Sequence, residues 1–144
     1  RKSTPRDLEK WVATLIATND WGVGMTHGLT YGYDAFPNPQ RLWDHWDKVK
    51  AMEDKIWVGT FREVAAYTKE QKHTRQQKKG LIITPQLDLD KEIFTEPLTM
   101  VIQKEGVRKM TARQGKKKLA VHKIGDKFIF DFNPFGEAIK VYLK

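Results

Sequence analysis

The sequence predicts an α/β fold: two parallel strands and three helices over residues 1–78, then a small antiparallel β-sandwich-like domain over residues 79–144. Two observations predict it. Helix and strand signals alternate in the first part, the order that generates parallel α/β architecture. From about residue 80, short β-rich runs recur between turn signals, with period-2 alternation in Phe128, Phe130, Phe132 and in Ile139, Val141, Leu143.

Thr4 is placed to cap the first helix, with Pro5 at its first position and Asp7 completing a capping-box pattern. Leu8, Trp11, Val12, Leu15 and Ile16 then recur at helical spacing, and Asn19-Asp20 ends the stripe. Trp21 to Thr26 reads as a short buried strand. His27 to Asn38, dense in Gly, Tyr and Pro, is a loop too long to be a mere connector.

Asn38-Pro39 is an N-cap followed by proline, and it opens a second helix with the stripe Leu42, Trp43, Trp46, Val49 and Met52. Lys55 to Gly59 reads as the next strand. Thr60 to Glu63 is a second capping box, leading into a helix through Val64, Ala65, Tyr67 and Thr68. The polar, basic segment from His73 to Gly80 reads as a linker or a frayed helix end.

Beyond it, strands are expected at residues 81–84, 97–103, 107–112, 118–123, 127–132 and 138–143. Turn signals at Glu105-Gly106, Gln114-Gly115, Gly125-Asp126 and Asn133-Pro134 separate them. Two parallel strands cannot close a sheet, and parallel strands are normally covered on both faces. All five tryptophans also lie in residues 1–78. That half is therefore expected to meet the β-domain, a second copy of the chain, or the missing N-terminal half of a larger fold.

The composition excludes several classes. No apolar run approaches the roughly 20 residues of a membrane helix, and Arg1 to Pro5 leads into a helix signal rather than a secretory leader. Without cysteine there is no disulfide, thiolate zinc site or cysteine nucleophile. The net charge of +8 raises the question of a polyanion. It is spread, however, as +3 over residues 1–78 and +5 over residues 79–144. Lys116 to Lys118 and Lys69 to Lys79 are the dense stretches, and they read as solvated turns and a linker, which weighs against nucleic acid.

The segment Trp21-Gly22-Val23-Gly24-Met25-Thr26-His27-Gly28-Leu29 resembles the late strand-and-histidine segment of NodB-type polysaccharide deacetylases. Asp54 to Phe61 and the following Glu63 to Tyr67 are similar to the next strand and helix in a bacterial subgroup. Pro97-Leu98-Thr99 and Asn133 to Glu137 resemble marks of the β-domain appended there. The resemblance implies the C-terminal part of a (β/α) barrel that removes acetyl groups from polysaccharides with a divalent metal, usually zinc. It also implies an extracellular or periplasmic home.

In that family the metal is held by an aspartate and two histidines, and none of these is matched here: no His-x-x-x-His pair and no Thr-Phe-Asp-Asp occurs. The matched position is His27, the family's general acid. Gly24 stands where the family has a hydrophobic residue, leaving Met25 or Val23 to line the acetyl-methyl pocket. Substrate contact is expected from Trp21, Met25, Tyr31 and Tyr33, with Phe36 in the same loop, and the other tryptophans are expected to pack.

The chemistry is coherent with that role. Hydrolysis of an amide or ester passes through a tetrahedral intermediate whose leaving atom must gain a proton, and an imidazole suits that transfer near neutral pH. His45 reads as packing or surface, and His73 and His122 carry no assigned role. The alternative reading is a non-catalytic module that binds glycans or proteins. A further one, polyanion binding through Lys116 to Lys118 and the linker, predicts affinity that falls steeply with salt.

Overall fold

Every strand pair in the computed structural model, which describes residues 5–25, 27–32 and 38–144, is antiparallel. The chain divides into two compact units, residues 1–59 and 60–144.

The first unit holds α1 (Pro5–Thr18) and α2 (Pro39–Lys50), packed on one another. Leu8 and Val12 of α1 and His45 and Val49 of α2 are buried. The stripe expected on α2 is rotated: the covered seam runs Leu42, His45, Val49, Met52, while Trp43 and Trp46 lie off it and stay exposed. Asn19 ends α1 in a left-handed conformation, φ 54°, and Asp20 donates its N–H to Leu15 O at 3.1 Å. Asn38 caps α2 by accepting the Gln40 N–H at 3.0 Å.

The parallel α/β segment, and with it the partial (β/α) barrel, is not formed. Residues 21–25 and 55–59 pair with nothing as strands, and Trp21, Val23, Trp57 and Val58 are exposed rather than sandwiched between helices. A lone extended segment cannot satisfy its main chain or bury both faces. Residues 22–24 instead lie along α1, where a Cβ on Gly24 would meet the Trp11 ring at 3.3 Å and one on Gly22 would overlap Trp11 and Leu15.

The second unit begins with α3 (Phe61–His73), whose Thr60–Glu63 capping box is complete: Glu63 Oε2 accepts the Thr60 N–H at 2.6 Å and Thr60 Oγ1 accepts the Glu63 N–H at 3.3 Å. The helix runs without a loop into β1 (Thr74–Lys79), so the segment expected as a linker is a strand. It forms a hairpin with β2 (Ile82–Leu87). The other strands are β3 (Leu98–Gln103), β4 (Met110–Gln114), β5 (Lys117–Leu119), β6 (His122–Ile124), β7 (Lys127–Phe132) and β8 (Ile139–Leu143).

Two sheets result, one in the order β1-β2-β8-β4-β5 and one in the order β3-β7-β6. Their inner faces share one core. Phe128, Phe130, Phe132, Leu98 and Met100 come from the smaller sheet, and Ile83, Met110, Ala112, Leu119, Ile139 and Val141 from the larger. Each buried phenylalanine is worth roughly 1.5–3 kcal/mol over leaving it in water. The β4–β5 turn is two residues, Gly115-Lys116, and Gly115 takes φ 54°, a conformation that penalises a side chain.

Helix α3 closes the free edge of β3. Tyr67 packs on the core, and its hydroxyl accepts the Thr99 N–H at 3.4 Å. One turn on, Glu70 Oε1 accepts the Glu96 N–H at 3.0 Å. Covering an edge in this way protects it from pairing with another chain.

Candidate functional site

Position by position, the sequence-predicted site lies on the segment after α1. His27 is exposed, as are Trp21, Met25 and Tyr31; Met25 and Tyr31 are 83% and 84% exposed. Tyr33 and Phe36 fall outside the described residues. The chain folds back here: a Cβ on Gly32, at φ 108°, would lie 3.6 Å from His27 O. Packing of residues 22–24 on Trp11 and Leu15 gives this segment its platform.

The tryptophans depart from expectation. Trp21, Trp43, Trp46 and Trp57 are each 45–55% exposed, where packing was expected for all but Trp21. Trp43 and Trp46 stand at the spacing of a core stripe on α2, but α1 and α2 together bury only one narrow seam.

Zinc was implied by the resemblance. Among the described residues no group of three or more His, Cys, Asp or Glu side chains converges. No helix among them is long and apolar enough to cross a membrane.

Two buried titratable groups lie elsewhere. His45, beside the Trp46 ring at 5.7 Å between centroids, has its pKa lowered by burial, against the opposing pull of Glu9, with Lys48 adding to the lowering. Lys48 itself is paired with Glu9 across α2 and α1. In the second unit, Glu70 is fully buried, and its Oε2 has no hydrogen-bond partner. Burial raises its pKa, the Glu96 N–H offsets part of that, and the Glu96 charge adds to it. No sequence signal marked Glu70, because its partner stands 26 residues away.

The charge distribution changes once the units are known. Residues 1–59 hold eight basic and eight acidic side chains, whereas residues 60–144 hold 18 basic against 10 acidic. The entire excess of +8 is therefore carried by the second unit.

Register aligns part of that excess. Lys79 of β1 pairs with Ile82 of β2, Ile82 with Lys140 of β8, Lys140 with Arg113 of β4, and Arg113 with Lys118 of β5. Because paired residues point to the same side, these five make one transverse row. Their neighbours Ile83, Ile139, Ala112 and Leu119 face the core, so the row occupies the outer face, and all five are exposed. At about 4.8 Å per strand the row is about 19 Å long. Arg113 is steadied by donating from Nη2 to Lys116 O at 3.0 Å.

A shallow cleft of about 310 Å³, lined in part by Pro97, Lys117, Asp131 and Glu137, opens at the β4–β5 end of the sandwich. Gln114 closes its floor, donating to Asn133 O at 2.7 Å and Glu137 O at 3.0 Å and accepting the Asn133 N–H at 2.9 Å. Those bonds pin the β7–β8 connection and leave the glutamine fully engaged. Comparison with protein-family models, curated proteins and solved structures gave no match.

Proposed function

We propose that this chain supplies the general-acid part of a polysaccharide deacetylase site, with His27 as the proton donor. The observation that carries the reading is the exposure of His27, Trp21, Met25 and Tyr31 after α1, on a stretch whose Gly22 and Gly24 pack against Trp11. In the reaction, the oxygen of water bonds to the acetyl carbon while one of its protons passes to a base outside this segment, and a tetrahedral intermediate forms. Its C–N or C–O bond then breaks as the leaving atom takes a proton from the His27 imidazolium, releasing acetate and the free amine or hydroxyl. One general acid of this kind contributes roughly 10²–10⁴-fold in rate.

The remaining site residues come from further polypeptide or from a second copy of the chain, and the exposed Trp43, Trp46 and Trp57 offer apolar surface to cover. An acetylated polysaccharide is the substrate in this reading. An extracellular or periplasmic location goes with so large a polymer.

Hydrogen exchange with and without acetylated xylo-oligosaccharides and chitin oligomers tests the proposal. Protection over residues 21–32, lost in His27→Ala and Tyr31→Ala variants, supports it. Protection confined to residues 60–144 would show a non-catalytic glycan module instead, and no protection anywhere sinks the reading.

A further inference from the structure

We infer that the outer face of the five-stranded sheet binds an acidic polysaccharide, a chain bearing carboxylates, laid across the strands along Lys79, Lys140, Arg113 and Lys118. The first ground is alignment. Four cations stand in one row over about 19 Å, brought together from β1, β8, β4 and β5 by register. A linear polymer with regularly repeated anions meets such a row along its length. A compact anion would meet one or two of the four.

The second ground is that these charges are available. Among the described residues none of the four pairs with a carboxylate, and Arg113 spends one donor on Lys116 O. A carboxylate, Glu137, lies against Gly115 in the β4–β5 turn without joining the row. Like charges set directly opposite each other oppose folding, so a polyanion that neutralises them binds and stabilises together.

The third ground selects the polymer. A sheet that reads single-stranded nucleic acid stacks successive bases on aromatic rings, and along β8 this face offers Tyr142 alone. Around the row stand Thr84, Gln77 and Thr111, hydroxyl and amide groups that suit sugar hydroxyls. The choice of a glycan rests also on the deacetylase reading, but its surface is a different one. Failure of binding here with protection intact at residues 21–32 would remove this inference alone.

Affinity electrophoresis of the full chain in gels containing polygalacturonate, unsubstituted xylan or single-stranded DNA provides the test. Retardation by polygalacturonate is expected, falling steeply with salt and absent on xylan. The double variant Arg113→Gln/Lys140→Gln should bind at least tenfold more weakly. Lys91→Gln/Lys127→Gln, with the same change in net charge but on a loop and on the other sheet, should change affinity less than threefold. Urea unfolding of both variants establishes that they fold. Absence of retardation by polygalacturonate, an equal loss in the control variant, or tighter binding to DNA would each overturn the inference.

Discussion

Arg113 and Lys140 stand directly opposite one another on β4 and β8, two exposed cations in a single antiparallel pair. Directly opposed like charges oppose folding by a few tenths of a kcal/mol to about 1 kcal/mol. Here the pair is embedded in a unit that already carries the whole +8 of the chain, so its repulsion adds to a wider one.

Lys140→Glu is therefore expected to stabilise the second unit by about 0.5–1 kcal/mol at low ionic strength. Urea midpoints followed by far-ultraviolet circular dichroism check this. The gain should shrink as salt is raised, and an unchanged midpoint at low salt would mean that the two side chains diverge into solvent.

Burial of Glu70 ties part of the second unit's stability to the protonated carboxyl. Its carboxyl pKa is raised above the ordinary 4.5 by burial, so the folded state holds the proton after the unfolded chain has released it. The stability tied to that proton is fully present below about pH 4.5 and is lost as pH rises through the folded-state value. Glu70→Gln should raise stability by about 1 kcal/mol at pH 8 and change it little at pH 4. Equal effects at both values would assign the difference to packing.

His45 acts in the opposite sense. Its pKa lies below the ordinary 6.5 because burial disfavours the imidazolium. The stability tied to the neutral ring is present above about pH 6.5 and declines as pH falls through the folded-state value. All five tryptophans lie within residues 1–59, so tryptophan fluorescence reports this unit selectively. The pH dependence between 7 and 5 should flatten in His45→Leu, and an unaltered slope would locate the titration elsewhere.

Thr60→Ala removes one half of the α3 capping box and should cost about 1 kcal/mol. Thr60→Ser, which keeps the hydroxyl, should cost far less. Urea unfolding by circular dichroism separates them, and equal losses would show that the hydroxyl is not the cause.

What was legible in the sequence was local. Asn38-Pro39, the Thr60–Glu63 box and the alternation of Phe128, Phe130 and Phe132 all depend on neighbours within a few positions, and each stands where the pattern put it. Trp21 to Thr26 and Lys55 to Gly59 had strand-like composition, but a strand exists only through a partner, and the pattern named none. His27, Trp21, Met25 and Tyr31 could be named from the chain, whereas their exposure and the packing of Gly22 and Gly24 against Trp11 could not. The cation row was invisible for a similar reason. Lys79, Arg113, Lys118 and Lys140 are scattered over more than 60 positions and share one row only through four different strand pairings.

Strand β1 has a bearing on how the protein behaves in a crowd. It is the outermost strand of its sheet, and its far side offers unpaired main-chain groups to any passing strand. Five of its six side chains, including Arg75, Lys78 and Lys79, are exposed and none of them is apolar. Two molecules brought edge to edge would have to press these cations together before a single ladder bond formed. The same stretch that resembles a linker is thus what keeps the sheet from growing into its neighbours.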